Sequence, residues 1–168
     1  MIDTLFGRVC DNKDFARKII TKGMNMPFYR VRWQMTAGGI SFDICHDDTL
    51  ERDLAKAMLK GGGFYSIYRK KNNDMECLYV GMSSSSIEYR IYRFFKELAG
   101  KSRPDEDHPG ARKALLDGVK VSDDFYIKIM ALDDLPSMPE NGYYVLEKLD
   151  ESIAFLLKAK YNTYVQKY

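Results

Sequence analysis

Apolar residues recur along this chain in two rhythms, one of period two and one close to the helical repeat. FYRVRWQM (28–35) and GISFDI (39–44) alternate apolar with polar positions around AGG, the pattern of a β-hairpin. Before it, DNKDFARKIITKG carries apolar residues at 15, 16, 19 and 20, with Asp11 or Asn12 as N-cap and Gly23 as stop, which predicts a short helix. DDTLERDLAKAMLKGGG predicts an amphipathic helix with an acidic first turn and with Leu50, Leu54, Ala55, Met58 and Leu59 inward. Strands near 64–69 and 77–80 follow, joined by the polar turn KKNNDM. Four serines then enter IEYRIYRFFKEL, where Ile87, Ile91, Phe94, Phe95 and Leu98 fall at helical spacing. HPGARKALLDG predicts a short helix ended by Gly118, and FYIKIMAL (125–132) a strand. DDLPSMPENG is a Pro-interrupted connection into the longest helix, YYVLEKLDESIAFLLKAK, with Leu146, Leu149, Ile153, Leu156 and Leu157 inward.

From residue 61 the order is strand, strand, helix, helix, strand, helix. It predicts an α+β fold with a small, mostly antiparallel three-stranded central sheet flanked by helices. Residues 1–60 read as an N-terminal extension of helix, β-hairpin and helix, and 61–168 as the main domain. Hydrophobic residues make up 45% and charged residues 30% of the 168, a globular balance far from the disordered corner of composition. No run approaches the roughly 18 apolar residues of a membrane span, and charges interrupt every apolar run near the start. The expectation is a cytoplasmic protein without a membrane partner. Cys10, Cys45 and Cys77 are an odd number without CxxC spacing, which favours free thiols over a disulfide framework or a structural zinc site.

The net charge of +2 hides an uneven distribution. Residues 61–103 carry 8 Lys/Arg against 4 Asp/Glu, whereas 104–140 carry 4 against 9. The tyrosine-rich hairpin and the helix after it therefore form the basic part, the charge a polyanion seeks. Lys70 and Lys71 on the hairpin, with Arg93 and Lys96 on the helix, are candidate nucleic-acid contacts, and Lys18, Lys22, Arg30 and Arg32 extend that possibility into the extension.

Four short pieces on these elements carry chemistry. Gly63-Phe64-Tyr65 begins one strand, Tyr79-Val80-Gly81 ends the next, Arg90 lies one turn into the following helix, and Lys158-Ala159-Lys160-Tyr161-Asn162 closes the last helix. In this order they resemble the GIY-YIG nuclease family over roughly 61–162, in layout most like its phage endonuclease II and restriction-enzyme branches. The resemblance implies a DNA endonuclease that hydrolyses phosphodiester bonds, with Tyr65 activating water, Tyr79 supporting the water or phosphate, and Arg90 holding the scissile phosphate with its fork of donors. It also implies one carboxylate on the last helix for a divalent ion, Mg²⁺ foremost and Mn²⁺ second, with Asn162 positioning that helix end. Counting back from Asn162 lands on Asp150, flanked by Glu151 and, one turn earlier, Glu147, and all three remain candidates. Met82 stands where many members carry lysine.

Two alternatives stay open beside this reading: a non-cleaving nucleic-acid-binding module, and an interaction protein whose tyrosines only pack a sheet. Tyr68 competes with Tyr65, because it sits 11 residues before Tyr79, close to the family's usual spacing, against 14 for Tyr65; three apart on a strand, the two face opposite sides unless a bulge intervenes, so one alone points into a site. His108 reads as a surface residue of an acidic loop. The strand at 28–35 is a candidate sheet edge for a homodimer.

Overall fold

The computed structural model describes residues 14–136 and 146–162, the side chains of 146–148 lying outside the described set. Cys10, the Asp11 or Asn12 cap, the inward placing of Leu146 and the side chain of Glu147 therefore fall outside the described residues. The helix over 14–24 (α1) buries Phe15, Ala16 and Ile19. β1 (Tyr29–Thr36) and β2 (Gly39–Cys45) form the expected hairpin, paired from Arg30↔Cys45 to Thr36↔Gly39. α2 (Thr49–Leu59) starts at Asp48, whose carboxylate accepts from the N–H groups of Leu50 at 2.9 Å and Glu51 at 3.2 Å.

β3 (Gly63–Lys71) and β4 (Asp74–Ser83) run longer than their apolar patterns because the turn shrinks to Asn72 and Asn73. Both have positive φ, 52° and 69°, a conformation asparagine tolerates and two-residue hairpin turns require. Arg69 fastens this hairpin by donating to Glu76 at 2.7 Å and Asp123 at 3.4 Å. α3 (Ile87–Leu98) is capped by Ser86, whose hydroxyl accepts from Tyr89 N–H at 3.2 Å, and its buried face holds the five apolar residues read from the sequence. α4 (Pro109–Leu116), β5 (Phe125–Ala131) and α5 (Leu146–Leu156) complete the described elements.

The fold is α+β, with an antiparallel sheet of five strands in the order β2-β1-β5-β3-β4. Three of them, β3, β4 and β5, are the strands expected after residue 61. The other two join through Tyr29↔Ile127, Arg30↔Tyr126 and Val31↔Phe125. That pairing joins segments distant in sequence, and local periodicity carries no trace of it. It also ties Tyr29–Val31 of the expected edge strand to β5, while residues 32–36 pair with β2 alone.

One face packs on α2, α3 and α4, with Tyr29, Val31, Tyr65, Ile67, Phe94, Phe95, Phe125 and Ile127 in its core. The opposite face packs on α1 and α5 around Phe64, Tyr68, Val80, Met130, Leu149 and Ile153. The hairpin and α2 thus share one core with the later strands. α2 buries its Ala55 and Leu59 row and leaves Leu50 at 69% and Leu54 at 52% exposure, against the inward position expected of them. The two rows are adjacent on the helix, and which one meets the sheet depends on how the helix is rotated in docking. Among the described residues no helix is long and apolar enough to cross a membrane, and Cys45 and Cys77 are free.

Candidate functional site

The site forms where β3 and β4 present tyrosines toward α3 and α4. Tyr65 pairs across the ladder with Gly81, and its ring lies over that glycine. A Cβ at position 81 would sit 2.8 Å from Tyr65 Cε1, so only glycine admits the ring there. Ile67 pairs with Tyr79 but Tyr68 pairs with Cys77, which leaves Leu78 as the extra residue of a bulge. Leu78 and Tyr79 consequently both turn toward the α3/α4 face, and the Tyr65 and Tyr79 rings lie 6.4 Å apart. Tyr68 points to the other face. There it accepts from Ser66 Oγ at 3.0 Å, meets Phe28 edge-on at 4.9 Å, and has its phenol pushed up to about 12 by burial and by neighbouring Cys77. Of the two competing tyrosines, Tyr65 shares the face of Tyr79.

Tyr79 is walled in on several sides. Its ring lies 5.9 Å from Phe94 and 4.7 Å, edge-on, from His108. The backbone of Gly110 closes the wall, where a Cβ would lie 2.9 Å from Tyr79 Cδ2 and from the Tyr161 carbonyl oxygen. Burial raises the Tyr79 pKa and the Asp150 carboxylate raises it further, while Arg90 and Arg93 pull it down. One phenol thus feels a carboxylate from the last helix and two guanidinium groups from α3. At neutral pH that phenol is protonated, suited to donating a hydrogen bond and orienting an oxygen.

Arg90 is exposed, and among the described residues it makes no hydrogen bond or ion pair. Arg93, one turn on, is half-buried and donates through Nη2 to the Asp107 carbonyl at 3.2 Å, while its buried Nε has no hydrogen-bond partner among the described residues. Lys96 is committed to Glu106 at 3.2 Å. Lys70 and Lys71 are exposed at the hairpin tip, five and six residues along β3 from Tyr65, which is about 16–20 Å of strand. They belong to a different surface from the tyrosines, and any DNA contact they make is to a distant phosphate. In the extension, Lys22 donates to the Asp134 carbonyl and Arg30 pairs with Asp124 at 3.0 Å, while Lys18 and Arg32 are exposed.

Asn162 is wholly buried and reads one residue of the edge strand twice. Its Oδ1 accepts from Val80 N–H at 3.0 Å and its Nδ2 donates to Val80 C=O at 2.8 Å. Lys160 N–H donates to Cys77 C=O and Tyr161 N–H to Leu78 C=O, so 160–162 zip along β4 and tie the end of α5 to the Tyr79 bulge. On α5, Glu151 N–H donates to Asp150 Oδ1 at 3.0 Å, and Glu151 is half-buried. Among the described residues there is no group of three or more His, Cys, Asp or Glu placed to hold a metal. Met82 packs into the α1/α5 core, away from Tyr65.

His108, read from its acidic loop as a surface residue, is instead half-buried against Tyr79 and Phe94. It caps α4, its Nδ1 accepting from Ala111 N–H at 3.1 Å, which leaves its proton on Nε2. Acidic neighbours in sequence suggested a solvated loop; His108-Pro109, an acceptor followed by proline at the first helical position, was the local sign of the cap. Burial, then Arg93, lowers its pKa from 6.5 to about 4. The folded protein resists a proton that the unfolded chain accepts near 6.5. Stability from the neutral ring is therefore fully present above about pH 6.5, and it is lost as pH falls toward 4. His108→Asn, which keeps a capping acceptor, is expected to flatten the urea midpoint between pH 6.5 and 4. An unchanged slope would remove His108 as its source. No protein-family model, no curated protein and no solved structure matches the chain.

Proposed function

We propose that this chain is a divalent-metal-dependent DNA endonuclease of the GIY-YIG kind, with β3, β4 and β5 as its three-stranded catalytic sheet. The observation that carries the reading is the pairing of the Tyr65 and Tyr79 rings at 6.4 Å, with Tyr79 in the electrostatic field of Asp150, Arg90 and Arg93. These are groups of the kinds that phosphodiester hydrolysis uses: a phosphate-binding fork, hydroxyls to orient water, and an oxygen donor for a hard cation.

Asp150 fits a magnesium or manganese ion in one manner, as a single protein carboxylate that leaves the other positions to waters and substrate oxygens. Such an ion, when bound, neutralises phosphate charge and makes water more acidic. The chain's own residues supply the rest. Arg90 would grip the scissile phosphate, Tyr65 would orient the attacking water and, as its phenolate, take the water's proton, and the protonated Tyr79 hydroxyl would donate to a phosphate oxygen. Asn162 keeps the carboxylate-bearing helix registered on the strand that carries Tyr79.

The test is incubation of supercoiled plasmid with the protein in Mg²⁺ and in EDTA. Nicked or linear product in Mg²⁺ and none in EDTA is the expected result. Salt-sensitive binding without cutting would identify a non-cleaving nucleic-acid-binding module, the second reading, which Met82 and an aspartate at the carboxylate position favour. Neither cutting nor binding would remove both.

A further inference from the structure

α3 carries two parallel rows of unlike chemistry. Arg90 and Arg93 form one row, three residues apart, and act electrostatically on Tyr79 and His108. Tyr89 and Tyr92 form the adjacent row, facing a cleft between α3 and the β1–β2 hairpin that is lined by Ser41, Phe42, Ser86 and Glu88. Tyr89 is 52% exposed, which leaves much of a large aromatic ring open to solvent. Tyr92 is half-buried, with its hydroxyl beside Gly39 of the hairpin and Lys96 Nζ 5.7 Å from its ring centroid. Phe42 closes the inner wall, held by Phe95 at 6.4 Å and by its cross-strand partner Trp33. The aromatic wall is thus anchored in the core at one end and open at the other.

From this arrangement we infer that the cleft takes an unpaired nucleobase, stacked on Tyr89 and Tyr92, when the neighbouring phosphate lies on Arg90. The inference rests on the phosphate-binding reading of Arg90 and names the form of nucleic acid the site takes. Two neighbouring rows on a helix set their side-chain heads about 8 Å apart around its surface, comparable with the reach from a phosphate to the base of the same nucleotide. Charge sorts the two halves. The guanidinium row attracts phosphate, whereas Glu88 at the cleft repels it and can accept from an exocyclic amine. Phenol rings offer stacking faces to any base, but only to one whose faces are free. A base inside a duplex has both faces covered, so the occupant is a single strand, an end or a flap.

The test uses the full chain in EDTA, which separates binding from cutting. The probes are a fluorescein-labelled single-stranded oligonucleotide containing 2-aminopurine and a blunt duplex of the same length. Wild type is expected to bind the single strand with quenching of 2-aminopurine. Tyr89→Ala is expected to weaken that binding about 5- to 100-fold, the range alanine substitution gives at a stacking aromatic, and to leave duplex binding unchanged. Tyr89→Phe is expected to retain it. Because Tyr89 is exposed, circular dichroism should show all variants folded. Plasmid cleavage in Mg²⁺ is measured in parallel. If wild type cuts but Tyr89→Ala binds single strands as wild type does, or 2-aminopurine emission is unmoved by binding, the base cleft is overturned and the endonuclease reading survives. Tyr89-dependent single-strand binding without cleavage would overturn the endonuclease and support the cleft.

Discussion

Arg90→Ala is expected to slow single-turnover plasmid cleavage in Mg²⁺ by about 10²–10³-fold, the usual loss when one donor to developing charge is removed. Arg90 is exposed and forms no ion pair among the described residues, so its removal leaves no buried partner behind. The melting transition should therefore stay within about 0.5 kcal/mol of wild type. Arg90→Lys should recover part of the rate, because an ammonium restores charge without the planar fork. Arg93→Ala provides the contrast. It removes the donor to the Asp107 carbonyl, so both stability and rate should fall. Rates for Arg90→Ala within threefold of wild type would sink the assignment of Arg90 to the scissile phosphate.

The largest stability effect is expected at Asn162. Its amide satisfies both backbone groups of Val80 on the edge strand, inside the protein at 0% exposure. Asn162→Ala leaves those two groups without partners at about 1–2 kcal/mol each, a loss of roughly 2–4 kcal/mol in urea unfolding. That is a large share of the 5–15 kcal/mol typical of a domain. Asn162→Asp should cost more at neutral pH, about 3–5 kcal/mol, since it sets a buried negative charge against the Val80 carbonyl. Burial and that carbonyl raise the folded pKa of the introduced aspartate, so its neutral form is the tolerated one. The variant's stability relative to wild type should be highest below the unfolded carboxylate pKa near 4 and fall as pH rises through the folded value. A pH-independent difference, or an Asn162→Ala loss under 1 kcal/mol, would contradict the role given to this residue.

Much of the local structure was legible because it depends on neighbours in sequence. The α3 face of Ile87, Ile91, Phe94, Phe95 and Leu98 and the serine entry to that helix follow from spacing and backbone preference, and a turn within KKNNDM was legible, though the two strands take all of it but Asn72 and Asn73. Errors fell where docking chooses between adjacent options. Leu50 and Leu54 lie one row from the buried Ala55 and Leu59, and periodicity cannot tell which row meets a sheet. His108 looked solvated because its sequence neighbours are acidic, yet its spatial neighbours are Tyr79 and Phe94.

Alternation along β3 required Tyr65 and Tyr68 to part company, one to each face of the sheet. The one-dimensional pattern held no statement of which face carries the arginines. That choice lies in the register that sets Tyr65 opposite Gly81 and Ile67 opposite Tyr79, all facing the α3/α4 side, and in Gly81, whose missing Cβ gives the Tyr65 ring its place. The placing of Asp150 within electrostatic reach of Tyr79 has the same character. It requires residues 160–162 to zip along β4, a contact across about 80 residues, formed by backbone groups that every sequence possesses. Residue types and their local spacing settled which helices and strands form and which chemistry is present, because those depend on side-chain size, polarity and backbone preference. Which of those groups meet was set by long-range hydrogen bonding and packing, because backbone pairing is blind to the side chains it brings together.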